Sequence, residues 1–219
     1  MRTGVKPVYG SRAIWSWIFY DFASSPFTTL VITFVYATYF TQVIAPDPIT
    51  GTVLWSRAIT VTALIVAICS PILGALADRG GYRKIFVLFF TLVCVVATAG
   101  LYQILPGQIA AALTLIIVAN IAYEFSSVFY NAFLPDLAVP ERVGSISGYG
   151  WGVGYIGGLL ALVLALVTLI QPEMPWFGFS TENDENIRAT NLIVAGWYFI
   201  FTLPFLFWVK HKINLFIFV

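Results

Sequence analysis

The sequence predicts an all-α, polytopic membrane protein with six transmembrane helices, and two observations carry this prediction. Sixty per cent of the 219 residues are hydrophobic and only 10% are charged, with a mean hydropathy of +0.91. Soluble domains usually carry about 25% charged residues, so a water-soluble fold would lack polar side chains to cover its surface. Apolar stretches also recur six times along the chain, separated by short segments of charged and turn-forming residues.

Each apolar stretch is close to or above the ~20 residues that a helix needs to cross the hydrocarbon core of a bilayer. We therefore predict helices at residues 18–43, 58–77, 85–105, 109–133, 147–170 and 189–209. The segments between them are, in order, Pro46 to Gly51, residues 78–84, Pro106 and Gly107, Pro135 to Gly144, and the acidic segment 171–188. Residues 1–209 are interpreted as one transmembrane bundle.

The distribution of lysine and arginine predicts the orientation in the membrane. With the N-terminus inside, two cations lie in the outer segments, Arg57 and Arg188. The inner segments carry Arg2, Lys6, Arg12, Arg79, Arg83, Lys84, Arg142, Lys210 and Lys212. Because cytoplasmic loops are enriched in these residues, we expect both termini in the cytoplasm. The short loops favour a prokaryotic cytoplasmic membrane.

The composition argues against several other functions. A net charge of +1 offers no electrostatic basis for nucleic-acid binding. Cys69, Cys94 and His211 are isolated in the sequence, so we expect neither a metal site nor another cofactor. A nucleophile with a base at motif spacing is also missing from the predicted spans, so an enzyme is not expected.

Two acidic residues lie inside predicted spans, where a charged side chain is costly and needs a reason. Asp21 lies about one turn into the first span, and Glu124 lies in the fourth. Both are predicted on the cytoplasmic side of the midplane, at similar depth. If the first and fourth helices face a shared cavity, the pair can bind a proton, a cation or an amine. Alternatively, Asp21 is near enough to the interface to be hydrated or to cap local backbone.

A polar stripe accompanies Glu124 on the fourth span. Asn120, Glu124, Ser127 and Asn131 are spaced four, three and four residues apart, which places them on one helical face. Such a stripe is expected to face the bundle or a wet cavity rather than lipid. Hydrogen bonding between helices would explain the same pattern. We take these four residues and Asp21 as candidates for substrate or cation binding.

The fifth span opens with a run of glycines. Gly150 and Gly154 have the small-xxx-small spacing that lets helices approach closely, and Gly157 and Gly158 follow one turn later. Close helix packing is the simpler interpretation of this run. Bending of the helix during a transport cycle is the alternative.

The segment between the second and third spans is the most informative motif. It contains Gly74, Asp78, Arg79, Gly81, Arg83 and Lys84. If this segment only fixed the orientation of the helices in the membrane, as a topology anchor, its cations alone would be enough. The full pattern resembles the signature of the major facilitator superfamily, in which it is similar to a conformational latch. The resemblance implies that these six residues form a gating motif and that Asp78 and Arg83 contact helices of a second half.

Three further stretches resemble one branch of that superfamily, the vacuolar-effluxer-like transporters related to a fungal amino-acid exporter. They are residues 15–27, 129–136 and 147–158. The usual arginine of the fourth helix is absent, since Glu124 is the only charge there, so a role in proton coupling that depends on that arginine is not carried over.

The resemblance implies a fold like the N-terminal six-helix half of a major facilitator, because members have about twelve spans. Residues 210–219, interpreted as a cytoplasmic tail, turn apolar where a charged linker is expected, which suggests a truncated or frame-shifted end. We predict a secondary transporter that moves a small solute, by resemblance an amino acid in efflux, through alternating access, with a proton as possible co-substrate. The alternative is a non-transporting remnant or a scaffold that pairs with a partner, either a missing second half or a second copy.

Overall fold

The computed structural model describes residues 10–209, and of residues 78–80 it describes the backbone only. The predicted tail at residues 210–219 lies outside this part. Within it, six helices are long and apolar enough to span a bilayer, so the all-α membrane fold is confirmed. They are Ser11–Ile44 (α1), Pro48–Gly80 (α2), Arg83–Gly100 (α3), Ile109–Asn131 (α4), Val143–Ala165 (α5) and Glu185–Trp208 (α6).

Several helices extend beyond the apolar stretches that predicted them. The clearest case is α2, which begins at Pro48 rather than at residue 58. The Asp47 carboxylate accepts hydrogen bonds from the backbone N–H groups of Ile49 and Thr50, at 3.0 and 2.9 Å. Proline is well suited to the first helical position because that position needs no N–H donor. Hydropathy locates the part of a helix within the hydrocarbon, whereas capping residues determine where it starts.

Helix α1 changes its winding after Pro26. It is α-helical over Ser11–Pro26 and π-helical over Phe27–Phe34. Proline has no N–H to donate to the carbonyl four residues earlier, which is that of Phe22. The indole nitrogen of Trp197 on α6 donates to this carbonyl instead, at 3.0 Å. The irregular stretch of α1 is therefore tied to a neighbouring helix, and it lies next to the cavity described below.

Helix α1 packs against α5 and α6, α6 against α3, α3 against α4, and α4 against α2. Aromatic side chains fill the space between α1 and α4. Trp17 donates its indole N–H to the Tyr130 carbonyl at 3.0 Å, and the Tyr130 hydroxyl donates to the Trp17 carbonyl at 2.9 Å. Tyr20 stacks on Tyr130, and its hydroxyl lies 2.9 Å from that of Tyr198. These buried contacts join α1, α4 and α6 into one core.

Candidate solute-binding site

A cavity of about 340 Å³ opens between α1, α4 and α5. Its lining combines one carboxylate, four serine or threonine hydroxyl groups, one amide and three aromatic side chains. The residues are Asp21, Ser25, Thr28, Thr29, Tyr123, Ser127, Asn131, Trp151 and Tyr155. Because Asp21 is the only charged residue among them, the cavity carries negative charge and favours a cationic ligand group.

The position of Asp21 depends on a glycine of α5. A Cβ atom at Gly150 would lie 2.6 Å from Oδ2 of Asp21, closer than real side chains approach. The half-buried carboxylate therefore occupies space that a larger residue on α5 would take. The Tyr130 side chain lies beside it, and its hydroxyl donates to the Trp17 carbonyl. A carboxylate this deep in a helix of a membrane protein needs a polar partner, a bound ion or water.

Three further residues of α1 line the cavity with hydroxyl groups. Ser25 donates to the Asp21 carbonyl at 2.7 Å, and Thr28 and Thr29 donate to the Ser25 carbonyl at 2.9 and 3.0 Å. Their hydrogens are thus used within the helix, and their oxygen atoms remain acceptors for a ligand. Thr28 and Thr29 lie in the π-helical stretch, a feature that often accompanies functional sites. Ser25 and Thr28 lie four and seven residues after Asp21, and this helical spacing was a signal for them in the sequence.

The predicted stripe on α4 divides between two environments. Ser127 and Asn131 line the cavity with Asp21, whereas Glu124 and Asn120 are not among its lining residues. Asn120 is buried in the bundle, and Glu124 is half-buried. The residue at the cavity in their place is Tyr123, because positions 123, 127 and 131 are separated by four residues and lie on one face. The shared cavity proposed for both carboxylates therefore contains only Asp21.

Two aromatic residues of α5, Trp151 and Tyr155, complete the cavity, and both side chains are largely exposed. Neither residue was among the predicted binding residues. Their spacing of four residues, on the helix face beside the glycine run, was the available signal.

The glycine run of α5 forms the surface that contacts α1. A Cβ at Gly154 would lie 2.7 Å from the Ser25 hydroxyl, at Gly157 2.5 Å from the Phe22 carbonyl oxygen, and at Gly158 2.5 Å from the Thr29 hydroxyl. The backbones of α1 and α5 therefore approach each other along this face, together with Gly150. By contrast, a Cβ at Gly148 or Gly152 would meet nothing within 4 Å.

The segment between α2 and α3 lies at the end of the bundle where α1 begins. Gly81 has φ 64°, a left-handed conformation that ends α2 and favours glycine. Gly74 has open space around it, since a Cβ there would meet nothing within 4 Å. The side chains of Asp78 and Arg79 lie outside the described part.

Two cations of this segment, Arg83 and Lys84, bind neighbouring helices of the same bundle. Arg83 forms an ion pair with Asp136 at 3.0 Å and donates to the Ala132 carbonyl at 3.2 Å, just beyond the end of α4. Lys84 donates to the carbonyls of Leu206 and Val209, at 2.7 and 2.6 Å, and so caps the C-terminal end of α6. These contacts lie within the chain itself, and the contact of Arg83 with a second half, which the resemblance implies, stays a prediction. The contacts within the chain link the start of α3 to the ends of α4 and α6.

In residues 10–209 no three His, Cys, Asp or Glu side chains are grouped so that they could hold a metal ion.

Comparisons with known proteins identify the relatives of the chain. Residues 46–215 match the family described as vacuole effluxer Atg22 like. The chain is 29% identical to an uncharacterized MFS-type transporter of Bacillus subtilis, YxiO, over 90% of this chain and 45% of that protein. It is 23% identical to autophagy-related protein 22 of Yarrowia lipolytica, over 73% of this chain and 35% of that protein. The chain thus spans less than half the length of these relatives.

Proposed function

Because the chain belongs to the family of Atg22-like vacuole effluxers, within the major facilitator superfamily, we propose that it supplies one half of a secondary active transporter. The solute is a small molecule with a protonated amine, of which an amino acid is the leading case. The observation that carries this proposal is the cavity around Asp21, whose lining holds one carboxylate and no lysine or arginine.

The chemistry of the lining suits an ammonium group. Asp21 supplies a charge-assisted hydrogen bond, which is stronger than one between neutral groups. The aromatic rings of Tyr123, Trp151 and Tyr155 offer faces to a cation. The acceptor oxygens of Ser25 and Thr28 can take the remaining ammonium hydrogens. A proton competing for the same carboxylate would couple solute release to protonation.

Alternating access requires a second helix bundle that moves against the helices α1, α4 and α5, which line the cavity. Transporters of this kind bind their solutes near the bilayer midplane, at the boundary between two repeats. The cavity is open, and the rings of Trp151 and Tyr155 are exposed, so a second bundle can pack over them. A second six-helix unit, or a second copy of this chain, is the proposed partner. The contacts of Arg83 and Lys84 would hold the helix ends together while the halves move.

The test is solute flux in vesicles that contain the chain. Labelled amino acids are loaded into the vesicles, and their exit is followed for the natural chain and for Asp21→Asn. The matched control is Asp47→Asn, which removes a carboxylate at the opposite end of α1 while keeping a residue able to cap α2. We expect flux to be lost in Asp21→Asn and retained in Asp47→Asn.

Measurable flux at the same rate in all three proteins would contradict the role of Asp21. An absence of flux from every protein, including the natural chain supplied with its second half, would favour the other function, a membrane scaffold that pairs with a partner without transport.

A further inference from the structure

A second concave surface, separate from the Asp21 cavity, lies where α1 and α5 begin. We call it the α1–α5 groove; it has a volume of about 700 Å³. Its walls are two stripes with the same spacing, one on each helix. They consist of Ser11, Ile14, Trp15 and Ile18 on α1, and Arg142, Ser145, Ile146 and Tyr149 at the start of α5.

The polarity of the groove changes along its length. Ser11 and Arg142 lie at the first turns of the two helices, whereas Ile18 and Tyr149 lie seven residues further on. At 1.5 Å per residue, this is roughly 10 Å deeper along the helices. The end of the groove at Ser11 and Arg142 is therefore charged and hydroxylated, whereas the part deeper along the helices is lined by isoleucine and aromatic rings. A phospholipid has the same order of polarity, with a headgroup followed by acyl chains.

The charge at the Ser11 and Arg142 end of the groove is positive. Arg142 is exposed, and within residues 10–209 its guanidinium forms no hydrogen bond or ion pair. Helix α1 also begins there without a side-chain cap, so its N-terminal backbone dipoles add partial positive charge. No carboxylate lines the groove. Trp15 and Tyr149, which are 57% and 65% exposed, are amphipathic residues of the kind found at the level of lipid headgroups.

We propose that the α1–α5 groove binds one anionic phospholipid, with its phosphate at Arg142 and an acyl chain along Ile14, Ile18 and Ile146. This site is independent of the proposed transport function. The bound lipid would fill the space between two helices whose contact also positions Asp21.

Native mass spectrometry of the full chain in a neutral detergent tests this proposal. Phosphatidylglycerol and phosphatidylcholine with identical acyl chains are added at equal concentration. We expect phosphatidylglycerol to be retained preferentially. Arg142→Gln is expected to weaken its binding about fivefold, the effect of one cation near an anionic lipid. The control Arg57→Gln, an exposed arginine at the opposite end of the bundle, is expected to bind as the natural chain does.

A second variant tests the apolar part without changing charge. Ser145→Trp fills the mouth of the groove, and Ser145 is exposed, so the fold is expected to tolerate the ring. It should lose the lipid while its thermal unfolding stays unchanged. Equal binding of the two lipids, or equal binding by Arg142→Gln and Arg57→Gln, would overturn the proposal. Stronger lipid binding after deletion of residues 2–9 would also overturn it, because it would mean that this segment occupies the groove.

Discussion

Single residues determine whether the Asp21 carboxylate can lie in the cavity. Gly150 is the clearest example, since its missing side chain leaves the space that Oδ2 occupies, 2.6 Å from a hypothetical Cβ. The contact is with the tip of a side chain rather than with backbone. A methyl group there would therefore displace the carboxylate, and it would also press on the Trp17 ring, which lies 3.0 Å from the same Cβ.

Gly150→Ala is accordingly predicted to weaken solute binding more than stability. Loss of one charge-assisted hydrogen bond is worth about 1.5–3 kcal/mol, which corresponds to an affinity loss of roughly tenfold to hundredfold. Equilibrium binding of a labelled amino acid to purified protein measures the effect. Gly152→Ala is the matched control, because its methyl group would meet nothing within 4 Å. Equal affinities of the two variants would argue against this placement of Asp21.

At the scale of helices, the close approach of α1 and α5 shapes the site. Here the contact is with backbone, because a Cβ at Gly157 would lie 2.5 Å from the Phe22 carbonyl oxygen and 3.0 Å from the Phe22 Cα. That carbonyl is also the one freed by Pro26 and bound by Trp197. A shift of α1 relative to α5 would therefore also disturb the hydrogen bond between the Phe22 carbonyl and Trp197.

Gly157→Ala is predicted to destabilise the bundle by forcing α1 and α5 apart. Overpacking typically costs about 1–3 kcal/mol, and replacing glycine by alanine within a helix returns up to about 1 kcal/mol. The net loss should be measurable as a lower thermal unfolding midpoint in detergent. Gly148→Ala, which has open space around its Cβ, should be neutral or stabilising. A Gly157→Ala protein as stable as Gly148→Ala would contradict the packing described here.

At the scale of the whole molecule, the orientation in the membrane remains a prediction from the distribution of lysine and arginine. It can be checked with single cysteines at two exposed positions, Glu173 between α5 and α6 and Glu141 between α4 and α5. Cys69 and Cys94 are first replaced by alanine.

A membrane-impermeant maleimide applied to intact cells is expected to label Glu173→Cys and to spare Glu141→Cys. Permeabilised cells should show labelling at both positions. Labelling with the opposite preference would reverse the predicted orientation and place the Asp21 end of the bundle outside.

Composition and the six apolar stretches were sufficient to predict the membrane fold. Helix ends depend on short-range capping that hydropathy ignores, as the start of α2 at Pro48 shows. The winding of α1 after Pro26 depends on a contact with Trp197, 171 positions away in sequence, which no local pattern reveals.

The candidate site was predicted in part. Asp21, Ser127 and Asn131 line one cavity, because intramembrane polar residues are costly and tend to share wet space. Glu124 does not join them, because a four-residue stripe covers a wide sector of a helix and neighbouring helices divide that sector. Trp151 and Tyr155 were missed because aromatic residues on a membrane helix usually suggest contact with lipid. Only the packing of α5 on α1 brings them to Asp21.

We propose above all that the Asp21 carboxylate holds the amine of a solute. The most direct measurement compares binding of three matched ligands to the purified chain: an amino acid, the amine that lacks its carboxylate, and the acid that lacks its amine. We predict that the first two bind, that the acid does not, and that Asp21→Asn loses the first two while Glu124→Gln keeps them. Binding of the acid in place of the amine, or unchanged binding by Asp21→Asn, would contradict the account.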